Sequence, residues 1–220
     1  MSAQIHQLLI PRRANQALEA PLTEAAENAM IAAAAQKISE LLDILQIDHQ
    51  NDHNTRETPE RVARMYVREL LRGRFAAPPK ITEFDNVEQC EQLIVTGPIE
   101  VRSLCAHHLM PIVGEAYIGV QPSASGKIIG LSKYDRIADH FAARFQIQEE
   151  LVSQIASFIM DQTQPRGVAV RISATHLCKT HRGVRASPAS RMVNTAWLGS
   201  LSEESSLKQE FLQECRGFGG

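Results

Sequence analysis

Two short stretches constrain this chain more than any others: residues 103–111, SLCAHHLMP, and residues 175–178, THLC. Together they carry Cys105, His107, His108, His176 and Cys178. The runs that lead into them, 99–104 and 167–175, have the short, β-branched character of strands, and Val168, Val170 and Ile172 alternate with Arg171 and Ser173. Both groups of donors therefore sit at strand ends. A fold that serves them must bring two strand ends, distant in sequence, to one place.

Thiolate and imidazole are soft and borderline donors of the kind zinc takes. A catalytic zinc has three protein ligands and leaves the fourth position to water. Cys105 and His108, three apart, can converge on one ion if the chain turns after its strand, and Pro111 supports a turn just beyond. Cys178 supplies a third ligand from the other strand end. Adjacent side chains point in different directions, so His107 does not share an ion with His108. His107 and His176 then remain for general acid–base work, which suits a group whose ordinary pKa lies near neutrality. Zinc would lower the pKa of its bound water toward ~7. A structural zinc with His107 or His176 as fourth ligand fits the same spacing. So does a disulfide framework, since Cys90, Cys105, Cys178 and Cys215 allow three pairings. The N-terminus lacks a signal-peptide apolar core, which favours metal over disulfides and a cytoplasmic setting. Cys90 and Cys215 read as small hydrophobes.

The period of the pattern changes along the chain. Residues 1–22 are polar and aperiodic, a flexible N-terminal tail or an arm packed on a neighbour. Residues 23–78 form a helical appendage. Thr23 caps a helix running to about Ile47, with Met30, Ala34, Ile38, Leu41 and Leu45 inward; Thr58 caps a second, with Pro59 in its first turn and Gly73 at its end. Residues 76–79 are a linker. From there to residue 220 the order reads β-β-β-α-α-β-β-α. The strands are 93–95 with 99–104 around Gly97-Pro98, then 113–120, 127–131, 167–175 and 191–198. The helices start at Ser132, with Asp135 as a capping-box partner, and cover about 148–162 and 203–216. Hairpins, two helices and another hairpin predict an α+β fold, an antiparallel sheet with two helices on one face.

Residues 130–136, GLSKYDR, place Ser132 and Lys133 at a helix N-terminus beside Arg136, a combination that suits phosphate. Each of these residues also fits an ordinary capped helix with solvated charges. Arg182 and Arg185 follow the second donor stretch closely. Gln148 and Glu149 put an amide and a carboxylate side by side at a helix start, able to read a guanine edge. The net charge of −2 advertises no nucleic-acid partner. No apolar run approaches the ~20 residues that span a bilayer.

Taken together, Cys105-Ala106-His107-His108, Gly130-Leu131-Ser132-Lys133 with Arg136, residues 146–149 (QIQE), His176-Leu177-Cys178 with Arg182-Gly183, and residues 58–63 (TPERVA) resemble GTP cyclohydrolase I, with the motifs in the same order over residues 58–199. The resemblance implies a tunnelling fold, in which sheets of several subunits close into an inter-subunit barrel, and a toroidal homodecamer of two pentamers with active sites between subunits. It implies conversion of GTP and water to 7,8-dihydroneopterin triphosphate and formate. By the same resemblance, Cys105, His108 and Cys178 bind Zn2+, and His107 and His176 move protons. Gln148 and Glu149 hold the guanine, while Ser132, Lys133, Arg136 and Arg182 hold the ribose and triphosphate. The chain departs from the family pattern at two places. Ala106 stands where Glu is common, and residues 187–194 lack the usual Thr-rich stretch. A tunnelling-fold enzyme acting on a related pterin or deazapurine, and a non-catalytic nucleotide-binding relative, are the rival readings.

Overall fold

The computed structural model describes residues 12–218. Residues 1–11 of the expected tail lie outside them. The chain divides into two compact units, which meet in sequence at Ala77 and Pro78.

In the first unit, α1 (Glu24–Ile44) begins where the Thr23 hydroxyl accepts the Ala26 N–H, with Glu24 and Glu27 in the electropositive first turn. It packs on α2 (Thr58–Arg64) and the turn that follows through Ile31, Ala63 and Val67, flanked by Met30, Ala34 and Ile38. Glu57, not Thr58, occupies the cap position of α2, and no side chain caps it. The chain continues as a π-helical turn, Met65–Leu70, and then as α3 (Arg72–Phe75), so Gly73 lies inside a helix and does not end one. Leu41 and Leu45, expected on the buried stripe, are 51% and 58% exposed. Residues 12–22 run beside α3: Leu18 and Leu22 donate to the carbonyls of Arg74 and Phe75, and the Arg74 guanidinium donates to the carbonyls of Arg13, Ala14 and Gln16.

The second unit is α+β. Its strands are β1 (Glu83–Asp85), β2 (Ile94–Cys105), β3 (Pro111–Gln121), β4 (Lys127–Ile129), β5 (Phe145–Gln146), β6 (Gly167–His176) and β7 (Met192–Gly199). The five-stranded sheet has the order β5-β2-β3-β6-β7, while β1 and β4 form a separate ribbon. The four long strands are antiparallel, but the short β5 runs parallel to the end of β2, so the sheet is mixed rather than wholly antiparallel. The two strand pieces expected around Gly97-Pro98 are one strand, whose register shifts between Thr96 and Ile99.

The helices α4 (Ser132–Ala142) and α5 (Gln148–Thr163) cover one face. There Ile137, Phe141, Leu151, Ile155 and Ile159 pack against Val101, Ile112, Ile118, Val170 and Ile172. The helix N-cap at α4 is Leu131, and Ser132 makes no capping bond because it already lies in the helix. After the short α6 (Leu177–Thr180), the chain reaches β7, then α7 (Ser200–Glu203) and α8 (Ser205–Gly217), two helices where one was expected because Glu204 is extended. Phe211 and Cys215 of α8 join Tyr117 and Ala169 in a second core on the opposite face. A Cβ on Gly119 would meet the Phe211 ring at 2.6 Å, so the absent side chain lets α8 approach. All four cysteines are free thiols, and burial pushes that of Cys215 up to about 11.

Candidate metal and substrate site

Strand register assembles the donors. Cys105 is the last residue of β2 and is buried. The hairpin after it is closed by Cys105 N–H to the Met110 carbonyl and Leu109 N–H to the Cys105 carbonyl, both 2.8 Å. Leu109 adopts φ +55 to make the reversal. Pro111 opens β3 opposite Leu104, and Ile112 pairs with His176, the last residue of β6. The C-terminal ends of β2 and β6 therefore lie at the same end of the sheet, on either side of β3. The α6 turn follows at once and folds Cys178 back. As a result, one donor atom each from Cys105, His176 and Cys178 lies within 4.8 Å of the others.

Two thiols and an imidazole at that separation form a donor set suited to a zinc ion, whose Zn–S and Zn–N bonds are about 2.3 and 2.0 Å. The electrostatics agree. Burial, the hydrogen bond to Cys105 and the Cys105 charge all push the Cys178 thiol pKa up, with Arg182 acting weakly the other way. Adjacent thiolates repel, and a cation is what permits both to ionise. Burial, Lys179 and His107 hold the His176 imidazole below its ordinary value, against the pull of Glu149. His107 is exposed, with Nδ1 3.5 Å from the Cys105 sulfur. His108 is also exposed in the hairpin and stands outside the three-residue group.

The other expected site residues fall into two places. Gln148 and Glu149 begin α5 at the end where Cys105, His176 and Cys178 meet, and the Gln148 Oε1 lies 2.8 Å from His176 Nε2. Gln148 is buried, whereas Glu149 is exposed. Arg182 is exposed just after α6, near enough for its charge to act on Cys178. Ser132, Lys133 and Arg136 are elsewhere. The C-terminal end of α4 is fastened beside the end where those three meet by Ser103 Oγ donating to the Ala142 carbonyl at 2.6 Å. The ten steps from Ser132 to Ala142 along α4 rise about 1.5 Å each, so Ser132 sits about 15 Å away along the axis.

Three residues that sequence reasoning did not assign also build this end. Ser103 anchors α4. Gln146 is fully buried in β5; its carbonyl accepts the Ala106 N–H at 2.9 Å, and its amide donates to the Phe141 carbonyl and to Gln154 Oε1. It thereby holds the first residue of the histidine hairpin. Asn194, in the middle of β7, donates to the Gln148 carbonyl and accepts from the Gln148 side chain. Ser103 and Gln146 lie inside motifs visible in the sequence. Asn194 is brought in by strand pairing alone, and nothing in its neighbours announces it.

The family model described as GTP cyclohydrolase I matches residues 34–216. A GTP cyclohydrolase 1 of Erwinia tasmaniensis is 35% identical over 214 residues, covering 96% of this chain and 95% of that protein. Its counterpart in Salmonella choleraesuis is 35% identical over 217 residues, covering 98% and 96%. One from Streptomyces avermitilis is 43% identical over 150 residues, covering 67% and 73%.

Proposed function

The chain belongs to the GTP cyclohydrolase I family of enzymes, and from that premise we propose that it hydrolyses the imidazole ring of GTP at C8, releases formate and rearranges the remainder to 7,8-dihydroneopterin triphosphate. The observation that carries this reading is the meeting of Cys105, His176 and Cys178 beside Gln148 and Glu149.

In this reading Cys105, His108 and Cys178 hold a zinc ion. When bound, zinc supplies Lewis acidity and makes hydroxide available near neutral pH. The Glu149 carboxylate, exposed at the start of α5, accepts from the guanine N–H groups. Opening the ring requires that the attacking water lose a proton and that the ring nitrogen leaving C8 gain one. His176, whose pKa burial lowers, can take a proton. His107, exposed beside Cys105, is placed to exchange protons with solvent and substrate. Arg182 at the same end offers a guanidinium to a phosphate oxygen. A second reading of the ligand set, Cys105, His176 and Cys178, is favoured by the 4.8 Å grouping.

Ser132, Lys133 and Arg136 hold the ribose and triphosphate with Arg182, and the place of Ser132 and Lys133 at the opposite end of α4 favours a site shared between copies of the chain. The edge strand β7, paired on one side only, suits closure of sheets from neighbouring copies into a barrel. The assembly proposed is the homodecamer of two stacked pentamers. No described helix is long and apolar enough to cross a membrane, and the setting proposed is cytoplasmic.

The test is direct. Purified protein is incubated with GTP, and formate release is followed together with pterin fluorescence, with and without a zinc chelator. Zinc-loaded protein should yield both products and chelated protein neither. Absence of formate from zinc-loaded protein refutes the reading.

A further inference from the structure

We propose that Asn194 is a positioning residue for His176: acting through the side chain of Gln148, it holds the imidazole in the tautomer that carries hydrogen on Nε2 and leaves Nδ1 unprotonated. This rests on the reading of His176 as a working residue of the site.

Hydrogen-bond direction fixes the tautomer. Gln148 is 1% exposed, so its side-chain amide must be satisfied by protein groups. Its nitrogen faces the main-chain carbonyls of Ile172 at 3.2 Å and Met192 at 3.1 Å, and Asn194 Oδ1 at 2.7 Å. Main-chain carbonyls cannot donate. An exchanged amide would set its own oxygen against them, so the orientation is fixed by chemistry. Asn194 is oriented in the same way, because its Nδ2 donates to the Gln148 main-chain carbonyl at 3.4 Å, which turns Oδ1 toward Gln148. The Gln148 oxygen is then left facing His176 Nε2 at 2.8 Å. An amide oxygen only accepts, so Nε2 must carry the hydrogen. In the neutral ring the lone pair is consequently on Nδ1.

Two of the three acceptors around the Gln148 nitrogen are main-chain groups of β6 and β7, present whatever the side chains. Asn194 supplies the third and shortest bond, and it pairs with Ile172 across the β6–β7 ladder, which sets its place. It lies at the end of the stretch where the chain departs from the Thr-rich pattern. Hydrogen-bond partners standing behind a metal-site histidine characteristically change activity or metal affinity by ten- to a hundredfold when removed.

The experiment uses the full chain labelled with 15N-histidine and studied by solid-state NMR, metal-free and zinc-loaded, with His176 assigned by difference from His176→Gln. Metal-free wild-type protein should show His176 with a protonated Nε2 and an unprotonated Nδ1. Asn194→Leu should mix the two tautomers and lower kcat for formate release about tenfold or more, with KM for GTP within about twofold. Asn194→Asp keeps an acceptor for the Gln148 amide and should restore the single tautomer and most of kcat. Asn194→Ala replaces the leucine variant if circular dichroism shows the latter unfolded. A wild-type His176 protonated on Nδ1 overturns the proposal. So does an Asn194→Leu protein with the wild-type tautomer and kcat, or an aspartate variant no better than leucine. The tautomer is read without turnover, so a wild-type protein that releases no formate sinks the proposed function and leaves the positioning claim to the NMR result.

Discussion

The two compact units of this chain treat their apolar residues in opposite ways. The unit beyond Pro78 closes its core: Ile137, Ile155, Ile159, Val170 and Ile172 have no exposed surface, and both faces of the sheet carry helices. The first unit builds its core on Ile31, Ala63 and Val67 and leaves Leu41, Ile44, Leu45 and Ile47 at the surface. The difference separates a unit rigid enough to position side chains from one that leaves apolar surface in water. A closed core can hold side chains rigidly enough for chemistry at its edge. An apolar row left in water on a helix marks a face suited to contact with another chain.

The comparison breaks first at the site. Cys178→Ala should leave the closed core intact while abolishing zinc content and lowering formate release by about a thousandfold or more, the several kcal/mol that metal activation supplies. Metal analysis alongside circular dichroism checks this, and an unfolded variant would mean that the site carries the fold. The same measurement separates the two ligand sets. His108→Ala should lose zinc and His176→Ala should retain it with most turnover gone; the reverse result assigns His176 as the ligand.

A smaller effect sharpens the contrast between the cores. Ile155→Ala removes a wholly buried side chain and should cost about 2–5 kcal/mol in urea unfolding. Ile44→Ala, at 77% exposure, should fall within about 0.5 kcal/mol for a solvated residue. A loss from Ile44→Ala as large as that from Ile155→Ala would show that this face is covered in solution, and a matching fall in mass by sedimentation would identify the cover as another copy.

A last effect is the pH dependence set by Tyr134 in the second unit. Burial pushes the Tyr134 hydroxyl up to about 12, against an ordinary value near 10. The folded state thus keeps a proton that the unfolded chain releases first. The contribution is fully present below pH 10 and is lost as pH rises toward 12, amounting to about 2–3 kcal/mol. Urea titrations between pH 9 and 12 should show this slope in the wild type and a shallower one in Tyr134→Phe.

Much of the second unit was legible in the sequence because its signals are local. The alternation of Val168, Val170 and Ile172 marks β6, and the Cys and His at the strand ends include the three residues that meet, Cys105, His176 and Cys178. The π-helical turn at Met65–Leu70 and the exposure of Leu41 and Leu45 were not legible. Apolar spacing says which residues share a helix face, but not how far a partner helix extends along it. The capping role expected of Ser132 failed for a similar reason: its residue type suits a cap, while the helix begins one residue earlier than that role requires. The bonds from Gln148 to Asn194 and His176 depend on the register of β6 with β7 and on where α5 begins. Residues 46 apart meet only because the tertiary structure puts them there.

The outer edge of β7 has a consequence for how this protein survives its own synthesis. Met192–Gly199 carries no charged residue and no proline, the two devices that most often blunt an edge strand. Each newly folded chain therefore presents an unguarded template. Correct neighbours and wrong ones compete for it, and concentration favours both. Speed of docking, rather than depth of the folded minimum, then decides how much of the chain finds a correct neighbour and how much aggregates.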